Sequence, residues 1–253
     1  MRLKKRTVFI LMSGLLLVLS CTSSPWHREQ ADMYLKKGIA FIEAGQYIGA
    51  LKELLEADKY SPDDPDINYY LGVAYLGRGL RDYALERFQK AVAARKNYSE
   101  AHNYIGVIYM DMGQWEKAVE SFDRALGNYL YTTPALAYFN SGWAYYNLKK
   151  YPEALARYQQ ASRNDVSGSL RPQIEKNVGL IYMDQSMLVP AIDHFKKAVE
   201  LDPAMVDAHF FLGECYLQIK DQSRARLAFQ EVVRLSPQSA FGQKARNYLH
   251  TLR

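Results

Sequence analysis

The sequence predicts an all-α chain, a solenoid of six stacked helix pairs closed by one C-terminal helix. Two observations carry this. A glycine recurs at nearly constant spacing, as Gly38, Gly72, Gly106, Gly142, Gly179 and Gly213, at steps of 34, 34, 36, 37 and 34 residues. Each is followed at fixed offsets by the same kinds of side chain, with helical rather than strand periodicity. Composition agrees: 253 residues, 49% hydrophobic, with 15 Gly and 9 Pro, can bury a core and exclude a wholly disordered or collagen-like chain. Two cysteines cannot make a disulfide framework.

The N-terminus reads as an address. Arg2, Lys4, Lys5 and Arg6 precede an apolar run, Val8 to Leu19, of 12 residues. A membrane span needs about 20, so residues 1–20 are expected to be a signal peptide. Ser20-Cys21 after this run resembles a bacterial lipobox. That resemblance implies cleavage before Cys21 and acylation of its sulfur. Each buried acyl CH₂ contributes about 0.8 kcal/mol, so several chains hold a protein to a bilayer. Thr22 and Ser23 place no acid after the cysteine, which by the Gram-negative sorting rule implies the periplasmic face of the outer membrane. Residues 21–30 are then expected to be a lipidated tether. The basic start also explains the net charge of +5. Without its four charges, 28 basic residues face 27 acidic ones, which leaves no electrostatic footprint for nucleic acid.

Within each unit, three residues after the glycine stands an aromatic (Phe41, Tyr75, Tyr109, Tyr145, Tyr182, Tyr216). Twelve after it stands Ala (Ala50, Ala84, Ala118, Ala154, Ala191, Ala225), and four further on a large apolar side chain (Leu54, Phe88, Phe122, Tyr158, Phe195, Phe229). These offsets predict two amphipathic helices per unit. Gly45, Gly79 and Gly113 fall at the turn between them, where glycine accepts a left-handed conformation. Pro62, Pro203 and Pro237 end the second helix. The pattern closely resembles the tetratricopeptide repeat (TPR), with units at 31–64, 65–98, 99–132, 135–168, 172–205 and 206–239. The resemblance implies a right-handed superhelix in which the aromatic fills space beside the glycine. Residues 240–253, with Phe241, Ala245, Tyr248, Leu249 and Leu252, are expected to cap the last unit.

Two joints are longer than the rest. Tyr129, Leu130 and Tyr131 lie in the first, where Tyr129 and Tyr131 are candidate partner contacts. The second, residues 164–172, is expected to be a plain surface loop. His102 and His209 hold the same position in different units, which points to a structural role. His194 is expected on a solvated face and Cys215 in the core. The sequence has no HExxH spacing, GxSxG, Walker loop or dinucleotide fingerprint. A protein without catalysis, cofactor, metal or small-molecule substrate is therefore expected.

The remaining face of each first helix lies three residues before, one after and four after the marker glycine. It gives Leu35, Ile39, Tyr69, Val73, Val107, Met110, Phe139, Trp143, Tyr146, Leu180 and Phe210 as candidate protein-binding residues. Neighbouring first helices could bury this stripe between them, or it could form a groove for an apolar segment of a partner. TPR domains that grip chaperone carboxylate tails present Lys and Asn where this chain has Leu35 and Ile39, so an acidic-tail receptor is not expected. A lipobox, six repeats and a capping helix resemble the type IV pilus pilotin family (PilF/PilW). That resemblance implies a membrane-tethered scaffold whose partners are secretin subunits or pilus assembly proteins. The alternative is a lipoprotein adaptor for peptidoglycan hydrolases or for barrel assembly.

Overall fold

The structure is a computed structural model, and it describes residues 24–252. The expected signal peptide, residues 1–20, and the acylation site Cys21 lie outside the described residues. Among the described residues there are thirteen α-helices and no strand: α1 (Pro25–Glu43), α2 (Tyr47–Tyr60), α3 (Pro65–Gly77), α4 (Arg81–Ala94), α5 (Ser99–Asp111), α6 (Trp115–Leu126), α7 (Pro134–Asn147), α8 (Tyr151–Asn164), α9 (Arg171–Asp184), α10 (Leu188–Leu201), α11 (Val206–Gln218), α12 (Gln222–Leu235) and α13 (Ala240–Thr251). Odd and even helices pair as neighbours from α1·α2 to α11·α12. The second helix of each pair packs on the first of the next, and α13 lies on α12.

The start of α1 corrects the expected tether. Ser24 caps the helix by accepting from the His27 backbone N–H at 3.3 Å, and Pro25 sits at its first position. A hydroxyl cap followed by proline suits a helix start. Residues 25–30 are therefore helical and are not part of a tether.

The pairs are locked by one contact per unit. A Cβ on Gly72 would lie 2.7 Å from the Phe88 ring, on Gly142 2.8 Å from Tyr158, and on Gly213 2.7 Å from Phe229. Leu54 fills the same place against Gly38. This side chain of the second helix occupies the space at the helix crossing. The aromatic three residues after the glycine sits further out, as where Tyr75 stacks with Tyr83 at 5.4 Å or Tyr216 lies under Arg224 at 4.8 Å. The crossing side chains are almost fully buried, so a fixed gap defines each pair.

The turns between paired helices need one left-handed residue. Gly45, Gly79 and Gly113 supply it at φ 69°, 73° and 68°. In the last three pairs Lys149, Ser186 and Lys220 adopt it, at φ 60°, 59° and 62°. That conformation costs an L-residue roughly 1–2 kcal/mol.

Polar side chains bind successive pairs. Asp64 caps α3 through the N–H groups of Asp66 and Ile67, at 2.8 and 3.0 Å. Asp66 accepts two hydrogen bonds from Arg95, at 2.9 and 2.7 Å, and one from the Tyr98 hydroxyl at 2.8 Å. Burial pushes the Asp66 carboxyl up, but these bonds outweigh it and hold it below the usual carboxylate range. Arg87 reaches Asp58 at 2.9 Å and Asn68 at 3.1 Å. At the C-terminus the rings of Tyr248 and Phe229 stack at 4.7 Å, and Phe241 meets Phe210 at 4.9 Å, so α13 covers the last pair.

Candidate functional site

The first helices α1, α3, α5 and α7 carry the apolar stripe, each at the same helical register relative to its marker glycine. Leu35, Ile39, Tyr69, Val73, Val107, Met110, Phe139, Trp143 and Tyr146 are half-buried. Leu180 and Phe210 differ and correct the expectation. They are only 8% and 3% exposed and belong to the core. Phe210 is enclosed by Phe211, Phe229, Phe241 and Tyr248, so the capping helix removes it from the surface. Polar positions near it are also engaged internally. Lys176 pairs with Asp207 at 2.9 Å, and Glu214 accepts from the Tyr248 hydroxyl at 3.2 Å. Burial, only partly offset by that bond, pushes the Glu214 carboxyl up. The named stripe residues that remain accessible thus lie in the first four pairs.

Its centre is aromatic. Trp143 and Tyr146 stack at 5.0 Å with 22° between planes, and Phe139 lies 5.8 Å from Tyr158. Tyr69 sits among Tyr98, Tyr70 and Tyr104, at 4.9, 5.0 and 6.0 Å. Burial raises the phenols of Tyr69 and Tyr146 well above their ordinary value, Tyr146 with a further push from Asp184. These rings stay neutral at physiological pH. The stripe residues themselves are neutral and suit apolar and aromatic side chains, and the nearest charges, Lys149 and Asp184 beside Tyr146, are paired with each other at 3.1 Å.

The joint between the third and fourth pairs splits the two candidate loop residues. Tyr129 and its neighbour Leu130 project fully, at 102% and 85% exposure, whereas Tyr131 is 9% exposed and packs with Phe122, Ala125 and Ala137. Tyr131 is therefore a core residue. It resembles Tyr98 and Met205, which are also buried just ahead of a first helix. The loop is pinned by Asn128, whose amide donates to the Asn97 carbonyl at 3.2 Å and to the Ser99 hydroxyl at 3.0 Å.

Other side chains also settle. Asp165, 6% exposed, organises the second long joint by accepting from the Leu170 N–H at 2.7 Å and the Ser167 hydroxyl at 2.9 Å. Burial raises its carboxyl, and the loop hydrogen bonds outweigh that and lower it. That joint is a surface loop, with Val166, Ser167 and Ser169 exposed, and its turn is ordered by Asp165. His102 and His209 both meet a carbonyl six residues earlier, at 2.8 and 3.1 Å, and Asn68 does the same at 2.8 Å in the second pair. His194 is not on a free face. It is half-buried, bonded to Glu175 at 2.7 Å and stacked on Tyr182 at 5.4 Å. Cys215 is fully buried, and burial pushes its thiol up to about 12, with a smaller push from Glu214. Among the described residues no group of three or more His, Cys, Asp or Glu is placed to hold a metal, and no helix is long and apolar enough to cross a membrane.

These features define a TPR solenoid with an apolar first-helix face. Tetratricopeptide-repeat family models match residues 31–79, 97–165 and 190–240, together more than half of the chain. The chain is a TPR-repeat protein. Among solved structures, Pseudomonas aeruginosa PilF is similar at TM-score 0.73 and 18% identity, covering 88% of this chain and 99% of that one. PilW, described as a widely conserved type IV pilus biogenesis factor, is similar at TM-score 0.74 and 18% identity, covering 85% and 98%. YrrB, a TPR protein with an unusual peptide-binding site, reaches TM-score 0.61 at 18% identity, covering 77% and 97%. At such identities the likeness is one of fold. A curated relative, the photosystem I assembly protein Ycf3 of Synechococcus elongatus, is 27% identical over 131 residues, 46% of this chain and 75% of the relative.

Proposed function

We propose that this chain is an acylated lipoprotein of the outer membrane that binds an apolar segment of a protein partner along its first-helix face, acting as a pilotin for type IV pilus secretin subunits. The observation that carries the binding role is the half-buried Phe139–Trp143–Tyr146 face, with Tyr69, Val73, Val107 and Met110 half-buried at matching positions of earlier first helices. A neutral aromatic surface left partly open favours an apolar or amphipathic segment over a charged one. The secretin assignment is supported by the near-complete coverage of PilF and PilW, together with the lipobox-like Ser20-Cys21. In this reading the face shields an apolar stretch of an unassembled subunit while the acyl chains keep the pair at the membrane.

The test is photo-crosslinking in cells from position 143, with position 129 as a second probe on the projecting joint. Capture of a secretin subunit from position 143, and loss of secretin multimers on deleting the gene, are expected. Capture of a peptidoglycan hydrolase or a barrel-assembly subunit would replace the pilotin role by the adaptor role. Unchanged secretin multimers in the deletion strain would reject the pilotin role outright.

A further inference from the structure

We infer that the α1 edge of the solenoid is a membrane-docking surface, on which Trp26, backed by Tyr60 and Tyr34, rests in the headgroup layer of the bilayer. This rests on acylation of Cys21, and it goes further by fixing how the domain stands on the lipid. The argument begins with chain length. Because α1 starts at Pro25 under a Ser24 cap, only three residue steps separate Cys21 from the folded domain. Three steps span at most about 11 Å. The headgroup layer on each side of a bilayer is about 5–8 Å thick. An acylated Cys21 therefore brings the first turn of α1 into that layer or just above it, and the domain cannot stand off from the surface.

The side chains at that edge suit this position. Trp26 is 55% exposed, although it is held in place by an edge contact with the Tyr60 ring at 5.6 Å. Tyr34 stacks on the other part of this cluster, 6.0 Å from Tyr60 with 8° between planes. The Lys37 ammonium lies 5.1 Å from the centre of the Tyr34 ring. Trp and Tyr concentrate at membrane interfaces because an apolar ring and a polar N–H or O–H are both satisfied there. Charge does not explain the edge. On the outer face of α1, Arg28, Lys36 and Lys37 are largely offset by Glu29 and Asp32. Docking should therefore depend on the aromatic ring and little on anionic lipid.

The experiment uses the full-length acylated protein in vesicles of phosphatidylethanolamine with or without phosphatidylglycerol, containing lipids brominated along one acyl chain. Tryptophan emission is compared between the wild-type chain and Trp26→Phe, which retain Trp115 and Trp143 alike. The expected result is bromolipid quenching in the wild type that is mostly lost in Trp26→Phe and is little changed by phosphatidylglycerol. A circular-dichroism spectrum identical for both proteins excludes misfolding as the cause. Protein that floats with vesicles but shows the same quenching in wild type and Trp26→Phe overturns the docking surface and leaves acylation standing. Protein that does not float, with an unmodified Cys21 by mass spectrometry, overturns both.

Discussion

Gly106 and Phe122 meet across the third helix pair so closely that a Cβ on the glycine would lie 2.5 Å from the phenyl Cε1. Phe122 is fully buried, with Ala118, Ala125, Tyr131 and Ala137 around it, so its ring has no free space to retreat into. Gly106→Ala should therefore destabilise the fold. Overpacking a core costs about 1–3 kcal/mol. Replacing a helical glycine by alanine returns about 1 kcal/mol. The net expectation is a loss on the order of 1 kcal/mol, read as a lower urea midpoint. A midpoint at or above that of the wild type would show that the crossing is not close-packed.

The turn residues predict the opposite sign. Ser186 holds φ 59° where the first three turns have glycine. Its hydroxyl is on an exposed turn and the residue is not enclosed by the core. Ser186→Gly removes a conformational penalty of roughly 1–2 kcal/mol, less the extra freedom glycine has when unfolded. A rise in the thermal midpoint is expected. No rise, with the same change at Lys220 also silent, would show that the left-handed turn carries no strain there.

Much of the fold can be read from the period alone, since Gly106, Ala118 and Phe122 recur at offsets that only paired helices satisfy. What the period hides is non-local. Phe210 and Leu180 have the same helical register as Phe139 and Trp143, yet the cap and the neighbouring helices bury the first two. No pattern within a unit encodes what stacks on it. Tyr131 was ambiguous for a related reason, because an aromatic in a turn looks the same whether it faces out or is drawn under the next helix. The left-handed Lys149, Ser186 and Lys220 lack the glycine that marks such a turn. The start of α1 was within reach, because Ser24-Pro25 is a helix-start signal.

Cys215 offers a test of the α11–α12 packing. It is fully buried, and burial, reinforced by Glu214, pushes its thiol up to about 12. Only the thiolate is alkylated, and it must also be reached. Iodoacetamide at pH 8 should leave the peptide containing Cys215 unmodified in the native protein and label it fully in denaturant. Rapid native labelling would mean that the sixth pair opens locally far more often than its enclosed core implies.

His102 makes the fold acid-sensitive in a way that can be removed. Burial is the main cause of its lowered pKa, with Arg124 adding to it and the Lys96 carbonyl bond opposing it. The unfolded chain takes up this proton near pH 6.5, more readily than the folded one. Stability from this residue is therefore full above about pH 6.5 and falls as the pH drops below it. The Asp66 carboxyl, held low by Arg95 and Tyr98, also favours the folded state at higher pH, but that contribution is lost only as the pH falls below the ordinary carboxylate range near 4. The two effects occupy separate windows. In the second pair Asn68 makes the contact that His102 makes in the third, donating to a carbonyl six residues earlier. His102→Asn keeps a donor at that place and removes the titration. The fall in thermal midpoint between pH 7 and pH 5 should shrink in the variant, while the steeper loss below pH 4 stays. An unchanged slope between pH 7 and pH 5 would assign the acid sensitivity to groups other than His102.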